Sequence, residues 1–490
     1  MRRGDHHAAL STFSQWCAFN DAQLKDIVLA SESGKGNYFK ATQDLSNDED
    51  NAETPVLLTV PKDMVLSAEA LKQYAKVDHN FRDIYDAVGH PSHRMDTLLF
   101  LFIQYIYSSP DFPDHKGPAS PWTWYFDVLP PDVPVPTMWP GRYRHYLLRG
   151  TSLEAAVLAK KLALEKELDD VFFCVRDNPF WRALLLESDI IQPKVWRYLD
   201  ALYRSRSLEL PKSGESMVPI LDMVNHSANA NAYFDETDDG EVRLLLRKGH
   251  SVGASTPGCT GEITIDYGHG KSAAEMLFSY GFIEPGYTAK SLTLPLEPMG
   301  DDPLSKAKTM IYGGPPTLKI EENADGVPTW KAPLIYLMCL NEDDGIDFRV
   351  LQMVDGGHDL RLFWKEEDVS DKTTGFEDLI QGHELEPVFH LRAITVVMSR
   401  LEEQIASLNN MDNAMHEEAE ADPKFSHTYG SLMQLRRAEL ALLTRMSSVL
   451  EEQRGGLLED DRVKAYLGSM EETPNGEAAA QSTNDEEDFS

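Results

Sequence analysis

The sequence predicts an α+β fold in which two groups of short strands flank a long helical stretch. Val56-Leu57-Leu58-Thr59-Val60 is typical of a buried strand, and it ends at Pro61. A second group of short apolar segments lies within residues 217–282, and the intervening residues 85–205 show helical apolar spacing. Because 490 residues exceed what one core accommodates, we expect two or three domains.

The first part of the chain is expected to begin with a helix, since residues 12–30 have helical apolar spacing. A glycine-punctuated turn follows at residues 33–39. The acidic segment Asp44–Glu53 has the composition of a surface loop. Ser67 directly precedes a helical pattern and is the expected N-cap of that helix.

Helical patterns also dominate the later part of the chain. A Pro- and Trp-rich segment at residues 121–140 is expected to break the helical stretch. After Thr288, the alternation of Leu292, Leu294 and Leu296 predicts a strand. Two long amphipathic helices are expected around 384–410 and 426–454, and the acidic residues 470–490 are expected to be disordered.

The formal net charge of −34 bears on the partners that the protein can have. A nucleic-acid-binding surface needs basic patches, so a nucleic-acid partner is not expected. An acidic surface would attract a basic protein partner by electrostatic steering. Solubility together with an acidic tail explains the charge equally well, so both interpretations stay open.

Cysteine spacing and hydropathy exclude several other classes of protein. Cys17, Cys174, Cys259 and Cys339 are widely separated, so neither a metal site nor a disulfide framework is expected. No run approaches the roughly 18 apolar residues of a membrane span, and the polar start of the chain lacks the apolar core of a signal peptide. We therefore expect a cytoplasmic or nuclear protein that does not bind membranes. A monomer is expected as well, although the sequence itself does not fix the oligomeric state.

Three motifs within residues 217–282 carry most of the functional information. The first contains Asn225-His226-Ser, the second is Asp-Tyr267-Gly, and the third is Tyr280-Gly-Phe282. The first two end short apolar segments, where a chain leaves a sheet and its side chains can face a ligand. In this order and spacing, the motifs resemble the C-terminal half of the SET domain, the S-adenosylmethionine-dependent lysine methyltransferase fold. The match is to the branch that includes the Rubisco large-subunit methyltransferase.

The resemblance implies a SET domain of short β-sheets with a helical insertion, followed by a mostly α-helical C-terminal substrate-binding domain. A Gly-x-Gly turn ending at Gly36 and a strand ending in Val60-Pro61 also resemble that family. The implied ranges are 1–84 for the N-terminal helix and first half of the SET domain, 85–205 for the insertion, 206–287 for the second half, 288–469 for the substrate-binding domain and 470–490 for a disordered tail.

The resemblance further implies S-adenosyl-L-methionine as cofactor, S-adenosyl-L-homocysteine as product, and no metal. Arg206 would pair with the methionine carboxylate, which suits a guanidinium group. Asn225 would bind the methionine amino group, and His226 would bind adenine through its main chain. The full set of implied cofactor contacts is Ser33, Gly34, Lys35, Gly36, Arg206, Asp222, Asn225, His226, Tyr280 and Phe282.

A pair of tyrosines fits the chemistry of lysine methylation. Only the free amine of lysine can attack a methyl group, and its ordinary pKa is about 10.4. A narrow, aromatic and water-poor channel disfavours the ammonium form and orients the amine. We assign the main catalytic role to Tyr267 and the positioning of the lysine amine to Tyr280, as the resemblance also implies.

Two alternatives to a lysine methyltransferase stay open at this stage. The first is a catalytically inactive module that keeps the fold and binds protein partners; it should have lost Tyr267, Asn225 or Tyr280, and the sequence keeps all three. The second is a protein-histidine methyltransferase, but a histidine-methylating relative lacks a tyrosine at the position of Tyr280. We therefore expect a non-histone protein substrate that is methylated on lysine, such as a ribosomal protein or translation factor.

Overall fold

The protein folds into two compact units, which are described separately. The computed structural model describes residues 10–471 except 33–35, 49–52, 113, 186–190, 255–260, 269, 298, 301, 353–357, 411–412 and 424. The first unit comprises residues 1–148, 153–287 and 412–435, and the second comprises 149–152, 288–411 and 436–490. The expected disordered tail lies almost wholly outside the described residues, and the domain ranges given above stay a prediction.

A four-stranded antiparallel sheet brings distant parts of the first unit together. The predicted strand Val56–Val60 lies inside this sheet, where Leu57, Leu58 and Val60 are buried. Its neighbour Val242–Leu246 is far away in sequence, so the sheet joins the two strand-rich stretches that flank the helices. The four strands, in spatial order, are Gln23–Leu24, Val56–Val60, Val242–Leu246 and Ala232–Glu236.

The remaining strands of the first unit form two-stranded sheets. Four pairs can be distinguished, of which three are antiparallel and one is parallel. Such short sheets agree with the predicted α+β class, which the structure confirms. The pairs are Ile27–Glu32 with Gly36–Ala41, Leu45–Asn47 with His250–Val252, Ser207–Leu210 with Gly214–Met217, and Asn225–His226 with Thr264–Ile265.

The prediction of a helix over residues 12–30 is wrong in its second half. The helix Phe13–Phe19 ends at Asn20, whose side-chain amide donates to the carbonyl of Trp16. Asp21 and Asp26 then adopt positive φ angles of 57° and 61°, which turn the chain into strands. Apolar spacing over so short a stretch does not distinguish a helix from a strand. The turns at Asp21 and Asp26 end the helix, and the chain continues as strands.

Two other local predictions need correction. The acidic segment is not wholly a loop, because Leu45–Asn47 is a strand in which Leu45 and Asn47 are buried. The Pro- and Trp-rich segment contains the helix Pro121–Val128. Proline is tolerated at the first position of a helix because its missing N–H would have no helical partner there, and Ser120 supplies the N-cap.

Helices dominate the described part of residues 68–206, as the periodicity predicts. Ser67 is the N-cap of the helix Ala68–Val77, since its hydroxyl accepts from the main-chain N–H of Ala70. Apolar side chains of these helices, among them the fully buried Trp181 and Trp196, pack in one core with apolar residues of the sheets. The helices are Ala68–Val77, His79–Val88, His93–Ser108, Pro121–Val128, Gly141–Leu147, Leu153–Val175, Pro179–Leu185 and Pro193–Arg206.

A buried ion cluster fixes the last of these helices, Pro193–Arg206. The Asp200 carboxylate is fully buried, and it accepts from Arg94 at 2.6 Å, Lys160 at 3.0 Å and Arg204 at 2.7 Å. Arg204 also donates to the carbonyl of Phe278, within the helix Ala273–Tyr280. The cluster therefore ties together the two helices that end at Arg206 and Tyr280.

The second unit combines two three-stranded antiparallel sheets with helices. The predicted strand near Leu292 is Ser291–Pro295. The two predicted long helices are Glu386–Asn409 and Ser426–Leu458, and the residues of the second helix up to 435 belong to the first unit. The sheets are Ser291–Pro295, Thr317–Glu322 and Pro328–Lys331, and Ile346–Gln352, His358–Trp364 and Glu367–Asp368. The helices outside the two long ones are Ser305–Tyr312, Ile335–Cys339, Phe376–Ile380, Asn413–Ala421 and Asp461–Glu471, of which Asn413–Ala421 belongs to the first unit.

The described residues contain neither a membrane-spanning helix nor a cluster of metal ligands. None of the helices there combines the length and the apolarity that crossing a bilayer requires. Within the same residues, no group of three or more His, Cys, Asp or Glu side chains could hold a metal ion.

Candidate active site

The two predicted catalytic tyrosines lie against each other. The ring centroids of Tyr267 and Tyr280 are 4.7 Å apart, and the Tyr280 hydroxyl donates to the main-chain carbonyl of Tyr267 at 3.3 Å. Tyr267 follows the strand Thr264–Ile265, and Tyr280 ends the helix Ala273–Tyr280. The turn into this helix therefore brings the two rings to one place, as predicted from their spacing.

Both phenols are kept neutral by their surroundings. Burial raises the pKa of Tyr267, and the nearby Arg206 only partly offsets this effect. Burial and the Asp266 carboxylate raise the pKa of Tyr280. A neutral phenol can donate one hydrogen bond and accept others. The Tyr267 hydroxyl donates to the carbonyl of Val224 at 2.7 Å, so its lone pairs remain available to accept from an incoming amine.

A short parallel strand pair joins the Asn225-His226 motif to Tyr267. Asn225 pairs with Thr264, and His226 pairs with Ile265. The Nδ1 atom of His226 accepts the main-chain N–H of Tyr267 at 3.1 Å, which leaves Nε2 to carry the proton of the neutral ring. That Nε2 atom lies 3.4 Å from the Glu284 carboxylate. The imidazole of His226 thus serves to position the main chain of Tyr267.

Arg206 and Asp222 form a buried ion pair beside the tyrosines. One terminal nitrogen of Arg206 donates to the Asp222 carboxylate at 3.1 Å and to the Asp222 carbonyl at 2.9 Å. Burial alone would lower the pKa of Arg206, but Asp222 outweighs it and raises that pKa. The Nε atom of Arg206 is buried and has no hydrogen-bond partner among the described residues. One donor of this guanidinium is therefore available to a ligand.

Tyr125, which lies in the helix Pro121–Val128, completes this arrangement. Its hydroxyl donates to the Asp222 carboxylate and accepts the main-chain N–H of Ile220 at 3.0 Å. Ile220 has a φ angle of 74°, which is unusual for a β-branched residue. The Tyr125 hydroxyl therefore supports a strained turn directly before Asp222. Nothing in the sequence around Tyr125 indicated this role, because its partners are remote in sequence.

These residues surround one cavity of ≈ 310 Å³. Its volume lies at the lower end of the range of small-molecule sites, which is about 300–1,000 Å³. Asp222, Tyr267 and Tyr280 contribute to its wall beside Arg206, so four of the predicted site residues meet there. The other lining residues are Ser205, Ser207, Leu208, Glu209, Leu221, Phe234, Ile265, Asp266, Gly268 and Lys271.

The other predicted cofactor residues are placed differently. The cavity is not lined by Asn225, His226 or Phe282. The Asn225 amide donates to the Glu262 carboxylate at 2.9 Å. The centroid of the His226 ring lies 6.1 Å from that of the Phe282 ring. Gly36 opens the strand Gly36–Ala41, with a φ angle of 83° that favours glycine. The predicted contacts at residues 33–35 lie outside the described residues.

The sequence did not single out Lys271 or Glu284 as members of this region. In sequence, Gly270-Lys271-Ser272 resembles only the end of a phosphate-binding loop, and such a loop requires a glycine at position 265, where this chain has isoleucine. The Nζ atom of Lys271 donates to the main-chain carbonyl of Tyr267 at 2.6 Å. The sequence signal that could have identified Lys271 is the N-cap at Ser272. An N-cap fixes the main chain at the start of the helix, directly after Lys271.

The short sheets and the helical stretch between them are similar in fold to solved SET-domain structures. The fold matches the solved structure of the SET domain of LSMT bound to lysine and AdoHcy, with a TM-score of 0.64, 19% identity, and coverage of 96% of this chain and 99% of that one. Rubisco LSMT bound to sinefungin and monomethyllysine gives a TM-score of 0.63 with 19% identity, covering 95% and 99% of the two chains. The predicted fold is therefore confirmed.

Sequence comparison points to the same class. The chain is 29% identical over 301 residues to SET domain-containing protein 8 of Schizosaccharomyces pombe, which covers 60% of this chain and 65% of that protein. It is 25% identical over 299 residues to the N-lysine methyltransferase SETD6 of Rattus norvegicus, covering 56% and 54%. The matches thus span between about half and two thirds of these relatives. No family model matches the chain. The resemblance to SET-domain methyltransferases stated from the motifs is confirmed.

Proposed function

We propose that this protein is an S-adenosylmethionine-dependent protein-lysine N-methyltransferase. The observation that carries the proposal is the meeting of Tyr267, Tyr280 and Arg206 around one cavity. Two relatives support it by name: SETD6 of Rattus norvegicus is an N-lysine methyltransferase, and the Rubisco large-subunit enzyme of Pisum sativum is an N-methyltransferase.

The residues present fit the proposed cofactor. Its methionine part carries a carboxylate, and the unpartnered buried Nε of Arg206 is a suitable donor for such a group. Asn225 could offer its side-chain oxygen to the methionine amino group, because its amide nitrogen is already used by Glu262. When bound, S-adenosylmethionine supplies an electrophilic methyl group on a sulfonium.

The substrate lysine would be handled by the tyrosine pair. The two rings exclude water from the aliphatic stem and disfavour the ammonium form of the side chain. The Tyr267 hydroxyl, held by Val224, would accept from the amine and align its lone pair. Tyr280 would limit the width of the channel, because its hydroxyl is fixed on the Tyr267 carbonyl. The proton released from the ammonium would leave to solvent before transfer.

The presence of Tyr280 supports lysine over histidine as the acceptor. The Tyr280 ring lies 4.7 Å from Tyr267, within the space that a broader imidazole would need. We propose a non-histone protein as substrate, and a basic one such as a ribosomal protein or translation factor. The net charge of −34 supports a basic partner, because opposite charges speed association. A cytoplasmic or nuclear location and a monomeric state stay predictions from the sequence.

Calorimetry with S-adenosylmethionine, followed by methyl transfer from the labelled cofactor to a basic protein fraction, tests the proposal. We expect saturable binding and label recovered as methyl-lysine after acid hydrolysis. Label recovered as methyl-histidine would support a histidine methyltransferase instead. An absence of cofactor binding by the folded protein would favour an inactive binding module.

A further inference from the structure

The candidate site contains an amine that belongs to the chain itself. Lys271 lines the same cavity as Arg206, Tyr267 and Tyr280. Its Nζ atom lies 2.6 Å from the main-chain carbonyl of Tyr267 and 5.9 Å from the centroid of the Tyr280 ring. A primary amine is thus already beside the two tyrosines that the proposed function assigns to a substrate amine.

The local fold directs Lys271 to this place. Ser272 caps the helix Ala273–Tyr280 through a capping box with Glu275, so the main chain of the preceding residue is fixed. Gly268 has a φ angle of 136°, and a Cβ atom there would lie 2.0 Å from the Lys271 Nζ. A side chain at position 268 would therefore displace the ammonium group of Lys271, and the positive φ angle itself favours glycine there.

Two other lysines of the chain show how this protein anchors an ammonium group permanently. Lys308 is buried and lies 2.6 Å from the Asp302 carboxylate, and Lys160 lies 3.0 Å from Asp200. Among the residues that the structure describes, none offers Lys271 a carboxylate within ion-pair distance. A single carbonyl contact holds the ammonium group of Lys271, so its side chain can move within the cavity without breaking an ion pair.

We propose that Lys271 is a methyl acceptor within its own chain, an inference that rests on the proposed function. The deprotonated Nζ attacks the methyl carbon of S-adenosylmethionine and forms an N–C bond. The S–C bond breaks with its electron pair going to sulfur, which yields S-adenosylhomocysteine. The amine loses its proton to solvent before attack, so the transfer needs no further reactant. The product is an enzyme that carries N-methylated Lys271.

The test uses the full chain with S-adenosylmethionine carrying an isotope-labelled methyl group and no added substrate. Peptide mass spectrometry is expected to place the methyl mass on Lys271. The labelling rate per enzyme molecule should not change on dilution, because donor and acceptor belong to one chain. Lys271→Arg should remove the label from this peptide, whereas Lys76→Arg should retain it, since Lys76 is exposed on a helix and bonds Gln73.

Cofactor binding and methylation of a separate basic protein are measured on the same preparation. A wild-type protein that binds the cofactor and methylates the added protein, while Lys271 stays unmodified, overturns this inference and leaves the proposed function intact. Equal total label in Lys271→Arg and wild type also overturns it. If the folded wild type binds no cofactor, the inference and the proposed function fail together.

Discussion

The Tyr267 hydroxyl can donate one hydrogen bond and accept others. It donates its proton to the Val224 carbonyl at 2.7 Å, and Tyr267 lines the cavity together with Arg206 and Tyr280. Because burial raises the pKa of Tyr267, the phenol cannot act as a general base through its phenolate at neutral pH. In the function we propose, the contribution of Tyr267 is orientation of the acceptor amine.

The substitution Tyr267→Phe tests this contribution. We expect turnover to fall by about a hundredfold, because the acceptor amine loses its alignment, while cofactor affinity changes little. Turnover and calorimetric affinity measure the two effects separately. Tyr198→Phe is the matched control, since it removes a similar hydroxyl-to-carbonyl bond, to Pro130 at 2.9 Å, outside the cavity. Unchanged turnover in Tyr267→Phe would remove this residue from the mechanism.

Arg206 pairs with Asp222, and we propose that it also binds the cofactor, so its removal should have two measurable effects. Arg206→Ala leaves the Asp222 carboxylate buried without its cation, which we expect to lower the free energy of unfolding by about 3–5 kcal/mol. It should also weaken cofactor binding by about 1.5–3 kcal/mol, the typical contribution of a charge-assisted hydrogen bond.

Urea unfolding and calorimetry measure these two effects of Arg206→Ala. Arg392→Ala is the control, because it breaks an ion pair with Asp344 at 2.6 Å in the second unit. The control should be destabilised and yet bind the cofactor like the wild type. If Arg206→Ala binds as tightly as the wild type, Arg206 does not contact the cofactor.

At the scale of elements, the helix Ala273–Tyr280 places Tyr280 at its C-terminal end and Lys271 before its N-terminus. Ser272→Ala removes the N-cap, and we expect the free energy of unfolding to fall by about 1 kcal/mol. The Michaelis constant for the substrate protein should rise, because Tyr280 loses its fixed support. Denaturant unfolding and steady-state kinetics measure the two effects. Ser272→Asp keeps a good N-cap and should behave like the wild type; equal losses in both variants would contradict the capping argument.

How far the sequence predicted these elements depended on whether the signal was local. The strand Val56–Val60 and the cap at Ser67 were predicted correctly, because proline and serine mark such boundaries directly. Tyr267 and Tyr280 were found together through a motif spacing that spans one helix. The strand Ile27–Glu32 was missed because no residue type within it indicates that it pairs with Gly36–Ala41. Tyr125 was missed for the same physical reason, since its contact with Asp222 forms only in the folded chain.

At the scale of the whole molecule, one buried carboxylate links stability to pH. Glu439 accepts from the main-chain N–H of Ser152 at 3.1 Å and from the Ser152 hydroxyl, and burial raises its pKa to about 7. The folded state therefore prefers the protonated form more strongly than the unfolded state does. The corresponding stability is fully present below about pH 4.5, and it is lost as the pH rises through about 7.

Glu439→Gln should separate this effect from all other titrations. Glutamine imitates the neutral form, so we expect the variant to be more stable than the wild type at alkaline pH, by up to about 3 kcal/mol. The difference should shrink towards zero in acid. Urea unfolding of both proteins across this pH range measures it. Glu452→Gln, exposed on the same helix, should show no such trend, and a stability difference that does not vary with pH would contradict the assignment.

The first unit is built from three separate stretches of sequence, and the third is synthesised only after residues 288–411. Residues 412–435 contribute the buried Ala419, Phe425, Leu432 and Leu435 to a cluster that also contains Leu277, on the helix that ends at Tyr280. During synthesis on the ribosome, the nascent chain up to residue 287 lacks these side chains while residues 288–411 are made. Maturation of the tyrosine site is thereby delayed until residues 412–435 have been made, and a protein truncated after residue 287 would lack part of the support for Tyr280.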